Sequence, residues 1–127
     1  AIDSFIKSSD MNFYDFDYAW KTGTHHQTGK FNPDWFIKKG DTIIVVETKD
    51  DSQIINTDVE NIGKNKAAIA HFDRVNKFFE SENSKTRYKF TFLTPKNYDI
   101  FFDKLVNHDI QNFNSDLDVA LSNQKYS

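Results

Sequence analysis

Two stretches of the chain alternate apolar with polar residues, NFYDFDYAW at 12–20 and RYKFTFLTP at 87–95. A period of two sorts side chains onto the two faces of a strand, so both are expected as half-buried strands. Pro95 cannot donate to a ladder and ends the second. Between them, FNPDWFIKK and TIIVVETK flank Gly40-Asp41, and their Val, Ile, Trp and Phe content suits the arms of a hairpin. KTGTHHQTGK (21–30) is polar and carries two glycines, which reads as a loop. The first three strands are therefore expected to form a meander.

Beyond Asp51 the period changes. Within 59–80, Ala68, Phe72, Val75 and Phe79 recur at helical spacing and give the segment one apolar face. Asp58 stands where an N-cap belongs, and Gly63 weakens the first turns. SENSKT (81–86) reads as a loop. Tyr98, Phe101, Phe102, Leu105 and Val106 fall at i, i+3, i+4, i+7 and i+8 and predict a second amphipathic helix. The tail from Asp109 is rich in Asn and Asp, with Leu117, Val119 and Leu121 as its few apolar anchors. A short helix is expected within residues 1–9.

A strand that follows a long helix returns parallel to its predecessor through a right-handed crossover, so 42–50, 59–80 and 87–95 are expected as a βαβ unit. The fold class is α/β: a mixed β-sheet of about four strands flanked by helices, in the order βββαβα. Residues 1–127 suit a single domain.

Composition narrows the setting. Thirteen phenylalanines in 127 residues promise an aromatic core. The chain has no cysteine, which excludes disulfides and thiolate zinc sites. No apolar run approaches the roughly 20 residues of a membrane span. The opening AIDSFIKSSD is too polar for a signal peptide, so a cytoplasmic location is expected. The first residue is Ala rather than Met, which suggests excision from a larger chain. A net charge of −3 argues against an unaided grip on nucleic acid. It leaves open a cutting module that something else delivers to DNA.

The candidate chemistry lies at the ends of the hairpin arms. Pairing about a turn at Lys39 to Asp41 sets Asp34 opposite a residue between Val45 and Glu47. Alternation puts Glu47 and Lys49 on one face, and Asp34 joins them if the register permits. Two carboxylates that close repel, and one tends to keep its proton. A divalent cation removes the conflict, and Mg²⁺ takes one or two carboxylates with waters and phosphate oxygens. Lys49 would then orient a water or offset charge on the phosphate in the transition state. The trio suits phosphodiester hydrolysis. On spacing alone, a solvated hairpin edge with a cross-strand ion pair fits equally well.

Pro33-Asp34 and Glu47-Thr48-Lys49 resemble the motif of the PD-(D/E)XK nuclease superfamily. The chain is most similar to the C-terminal endonuclease domain of type III restriction enzyme Res subunits. The likeness lies in FNPDW, in an apolar strand ending VVETK, and in the Lys- and Ala-rich helix GKNKAAIAHF. It covers about residues 12 to 96. It implies a restriction-endonuclease-like αβββαβ core and an endodeoxyribonuclease dependent on Mg²⁺, for which Mn²⁺ substitutes. Asp34, Glu47 and the Thr48 carbonyl would be metal ligands and Lys49 the catalytic lysine. Asp3 is a candidate acidic residue from a first helix, and Lys64 or Lys66 an auxiliary residue from the helix after the motif. The implied partners are double-stranded DNA, an ATP-dependent helicase-like motor in the same parent chain, and a methyltransferase or recognition subunit. No GxxxxGK[ST] occurs in these residues, so no such motor lies within them.

Other residues have plainer readings. Lys64 and Lys66 are candidates for DNA phosphates, whereas Arg74 and Lys77 suit a solvated helix face. His25 and His26 read as loop surface, with metal or DNA as the alternative. His71, Trp20 and Trp35 read as structural residues, and the Phe pairs at 78–79 and 101–102 as packing. The functional alternatives are another nuclease of the same fold, for repair or branched DNA, and a catalytically silent docking module.

Overall fold

The computed structural model describes residues 33–123 in full, together with the backbone of three strands nearer the N-terminus. Those strands are β1 (Ser4–Lys7), β2 (Phe16–Thr22) and β3 (His25–Phe31). The hairpin arms follow as β4 (Trp35–Lys39) and β5 (Thr42–Thr48). Then come α1 (Ser52–Ile55), α2 (Val59–Ser81), β6 (Arg87–Leu93), α3 (Tyr98–Val106) and α4 (Asp116–Ser122).

β4, β5 and β6 form a mixed sheet. β4 and β5 are antiparallel, with Trp35 opposite Val46 and Lys39 opposite Thr42. Gly40 takes the tight turn at a φ of +59°, a conformation glycine adopts without a Cβ penalty. β5 and β6 are parallel, from Thr42 beside Arg87 to Thr48 beside Leu93, and α2 is the crossover between them. β1 is registered antiparallel along the other side of β4, with Lys7 opposite Trp35.

Helices cover both faces, which is why β5 reads as the unbroken run Ile-Ile-Val-Val rather than an alternation. On one face Val45 and Phe92 pack with Ala68 and Phe72 of α2 and with Leu117 and Leu121 of α4. On the other, Ile37, Ile44, Val46 and Leu93 pack with Phe101 and Leu105 of α3 and with Ile110 and Phe113 beyond it. The aromatic core is built along β6: Phe72 stacks near Tyr88 and Phe90, and Phe79 near Tyr88.

The outer edge of β6 is occupied by side chains. Asn76 exchanges two hydrogen bonds with the Tyr88 backbone, at 2.7 and 2.9 Å. Further along, the Asp118 carboxylate accepts from the Phe92 amide at 2.8 Å and from the Thr91 hydroxyl, while the Ser115 hydroxyl donates to the Phe92 carbonyl. A strand edge plugged in this way offers less to a neighbouring chain.

Three expectations need correction. Residues 4–7 form a strand, not part of a short helix, because their backbone completes the free side of β4. The stretch from Phe16 to Trp20 is a strand but does not continue the hairpin as a meander. It pairs with β3 in a separate two-stranded sheet, and β2 lies beside α2. Most of the expected loop at 21–30 is therefore ladder, with Lys21 opposite His26 and Ala19 opposite Thr28. Finally, the tail from Asp109 contains α4. Its start is fixed by a capping box between Ser115 and Asp118, and Leu117 and Leu121 are fully buried. Among the described residues, no helix is long and apolar enough to cross a membrane.

Candidate active site

The register brings Asp34 to the end of the β4–β5 ladder. Pro33 has no amide to donate, and Asp34 is the last residue to join β5 from this side, its amide donating to the Val46 carbonyl at 3.0 Å. The side chain continues the ladder. Asp34 Oδ2 accepts from the Thr48 amide at 2.9 Å and from the Thr48 hydroxyl at 2.8 Å. Burial pushes the Asp34 carboxyl up, but the two bonds from Thr48, a bond with Glu47 and the Lys49 charge outweigh it. Its pKa lies below the ordinary value.

Glu47 lies across the same junction and is only 6% exposed. Burial, together with the bond to Asp34 and its charge, pushes the Glu47 carboxyl up to about 7, against the pull of Lys49 and Lys64. The two carboxyls thus behave as a pair that shares a proton, with the proton on Glu47. Lys49 Nζ stands 3.6 Å from Glu47 Oε2, and Lys64 Nζ stands 3.7 Å from the same oxygen. Lys64 is itself partly buried. Burial and the nearby Lys49 charge lower its pKa, while Glu47 and Glu60 raise it. The end of the sheet therefore holds two carboxyls and two ammonium groups within direct reach of Glu47.

The structure brings together Asp34, Glu47, Lys49 and Thr48, and Lys64, one of the two auxiliary candidates, lies with them. Lys66 stands apart. It is exposed and lies about 200° further round α2, off the stripe that faces Glu47. Asp3 lies outside the described residues. His25 and His26 sit on β3 rather than in a loop, and only their backbone is described. What the sequence did not announce is the role of the Thr48 side chain, which ties Asp34 down twice.

Residue types at the site decide what it can hold. The donors are hard carboxylate and carbonyl oxygens, which suit Mg²⁺ or Mn²⁺ and not a soft metal. Among the described residues no group of three or more His, Asp or Glu side chains gathers in one place.

A cavity of about 340 Å³ lies against the opposite face of the sheet, lined by Trp35, Thr48, Leu93, Tyr98, Phe101 and Phe102 among others. It is apolar and contains none of the carboxyls or lysines. The chemistry lies on the α2 side, and Thr48 is the one residue common to both.

Compared with protein-family models, curated proteins and solved structures, the chain matches none.

Proposed function

We propose that the chain is a metal-dependent DNA endonuclease domain with a restriction-endonuclease-like core, and the cleavage module of a type III restriction enzyme. The observation that carries the hydrolytic reading is the Asp34–Glu47 pair. A half-buried Asp34 bonded to a buried Glu47, whose carboxyl is pushed up to about 7, makes a costly pair unless something replaces the proton. A divalent cation does so, and the two flanking lysines complement a phosphate. The assignment to type III enzymes rests on the resemblance of FNPDW, VVETK and GKNKAAIAHF.

In this reading Asp34, Glu47 and the Thr48 carbonyl hold the ion. When bound, it polarises the scissile phosphate and lowers the pKa of a water. Thr48 fixes the Asp34 carboxylate through its amide and hydroxyl. Glu47 would meet the ion as a carboxylate, with Lys49 and Lys64 on either side of it. Lys49 projects into the site from the end of β5 and stabilises the negative charge that grows on the phosphate oxygens as water adds. With a net charge of −3, the chain relies on another part of its parent, in this account a motor, to bring DNA to it.

The test is nicking of supercoiled plasmid with the protein in excess and Mg²⁺ or Mn²⁺ at millimolar concentration. The wild type nicks slowly, EDTA stops it, and Asp34→Ala and Lys49→Ala remove it while leaving circular dichroism and Tm close to wild type. Equal nicking by both variants would show that the trio is not the site.

A further inference from the structure

The apolar cavity on the α3 face opens where that helix leaves aromatic side chains uncovered. Its sheet side is Trp35, Ile37 and Val46, and its helix side is Tyr98, Phe101 and Phe102. Phe101 is buried, but Tyr98 and Phe102 are 37% and 47% exposed, so these two rings both wall the cavity and meet solvent. Val106, four residues beyond Phe102, is 59% exposed. Tyr98, Phe102 and Val106 therefore form a row at i, i+4 and i+8, about 12 Å long at 1.5 Å per residue. Single exposed apolar side chains need no explanation, whereas a continuous row beside an apolar cavity is a surface for a partner to bury. The cavity volume of about 340 Å³ holds a leucine or an aromatic side chain. It exceeds the roughly 150 Å³ that admits benzene.

Backbone geometry sets the form of that partner. A ridge of i, i+4 side chains next to a groove is what a second helix packs against. An added strand would need a free ladder edge at the cavity. None is offered by β4 there, because Trp35 is paired with Val46 on one side and with Lys7 of β1 on the other.

Charge sets its chemistry. Asp99 and Asp103 each follow a residue of the row by one position, about 100° further round α3. They border the row on the side away from buried Phe101 and Leu105, and both are exposed. Among the described residues neither is paired with a lysine or arginine side chain. Lys104, on the other flank of the helix, is bonded to Asp109 at 2.9 Å, and Asp103 accepts from the Asn107 amide at 3.2 Å. A second copy of the chain would present the same two aspartates and meet like charge. A helix with lysine or arginine beside its apolar face meets opposite charge.

We propose that the Tyr98–Phe102–Val106 row and the cavity beside it are the docking site for a basic amphipathic helix of a partner protein. The helix seats one apolar side chain in the cavity and sets its lysines or arginines against Asp99 and Asp103. A large side chain in a desolvated pocket supplies most of the energy of such a contact, and the rim charges choose the partner. None of the carboxyls or lysines of the proposed active site lines this cavity, so the role stands whether or not the chain cuts DNA.

The test is fluorescence anisotropy with two fluorescein-labelled peptides of about 14 residues, sharing one helical pattern with Leu on the apolar face and either Lys or Glu elsewhere. The wild-type chain is expected to bind the Lys peptide at least about tenfold more tightly than the Glu peptide. Phe102→Ser weakens the Lys peptide about tenfold or more, whereas Ile100→Ser, on the far side of α3, leaves it within about twofold. The double variant Asp99→Lys/Asp103→Lys reverses the preference. Glu80→Lys/Glu82→Lys, the same change of charge at the end of α2, keeps it. Circular dichroism and Tm of the variants stay close to wild type. No binding of the Lys peptide at about 1 mM would overturn the proposal. So would equal affinity for the two peptides, or the same loss from Ile100→Ser as from Phe102→Ser. Self-association of the wild type in analytical ultracentrifugation that Phe102→Ser abolishes would also overturn it, since a second copy would then hold this face.

Discussion

Asp34 is held by Thr48 twice, its Oδ2 accepting the amide at 2.9 Å and the hydroxyl at 2.8 Å of the same residue. The pairing locks one carboxylate oxygen against the strand end. It also holds the Asp34 pKa down beside a second carboxyl whose pKa is raised by burial. Because one residue supplies both donors, the hydroxyl can be removed without disturbing the backbone bond.

Thr48→Val removes the hydroxyl donor and keeps the branched shape. The loss of one partly buried bond to a charged group costs about 1–2 kcal/mol. Urea unfolding at pH 7.5 measures it, and the Asp34 pKa, followed by carboxyl NMR, moves upward towards its ordinary value. Unchanged stability together with an unchanged Asp34 titration would mean that the hydroxyl bond contributes nothing.

The Glu47 carboxyl makes stability depend on pH in a direction opposite to the usual carboxylate. Its pKa is about 7 in the fold against 4.5 in its ordinary state, so the folded protein holds the proton more tightly. The resulting stability is fully present below about pH 4.5 and is lost as the pH rises through 7. A shift of this size corresponds to roughly 3 kcal/mol. Asp34 acts in the other sense, but only where the pH falls below its own ordinary range. Metal-free protein is therefore expected to lose Tm between pH 5 and pH 8, and Glu47→Gln to flatten that slope. Millimolar Mg²⁺ should raise Tm at pH 8 and hardly at pH 5, where the proton competes. A Tm independent of pH over this interval would contradict the paired-carboxyl account.

Asp118 is expected to matter more than its place in a polar tail suggests. It accepts from Thr91, from the Phe92 amide at 2.8 Å and from the Ser115 amide at 3.1 Å. Burial raises its pKa, against the pull of those hydrogen bonds. Asp118→Ala removes the acceptor of the Phe92 amide and leaves the Thr91 hydroxyl only its bond to the Phe92 carbonyl, at a cost of about 3 kcal/mol. It also opens the edge of β6. Chemical unfolding gives the first effect, and light scattering at raised concentration shows the second as self-association.

Leu121→Ala tests the same end of the molecule through packing. The side chain is fully buried against Val45, Phe72 and Phe92, so truncation costs about 2–5 kcal/mol. A loss below about 1 kcal/mol in urea unfolding would mean that α4 is not part of the core.

The elements legible in the sequence were those whose periodicity and punctuation agreed. The hairpin about Gly40, the capped helix from Val59 and the strand before Pro95 all carried both signals. The register of that hairpin set Asp34 opposite a residue between Val45 and Glu47, and the ladder ends with Trp35 opposite Val46. The N-terminal third misled for a physical reason. His25 to Phe31 is polar and contains a glycine, so nothing in its composition announces a strand, yet its backbone pairs residue for residue with β2. α4 was missed because only Leu117 and Leu121 anchor it, while much of its attachment comes from Ser115 and Asp118, whose targets on β6 are remote in sequence. On α3 the predicted apolar face is only half used: Phe101 and Leu105 are buried, whereas Phe102 and Val106 are exposed. Within the site, Glu-x-Lys spacing put Glu47 and Lys49 on one face, whereas which of Lys64 and Lys66 reaches Glu47 depends on the rotation of α2.

The central claim is that Asp34 and Glu47 close on one divalent cation. A crystal soaked in Mn²⁺ above pH 7.5 and measured at the manganese edge tests it most directly. The account predicts one anomalous peak at about 2–2.4 Å from both carboxylates, with Lys49 alongside. A saturating soak that leaves this point empty, or a peak that touches neither carboxylate, would contradict it.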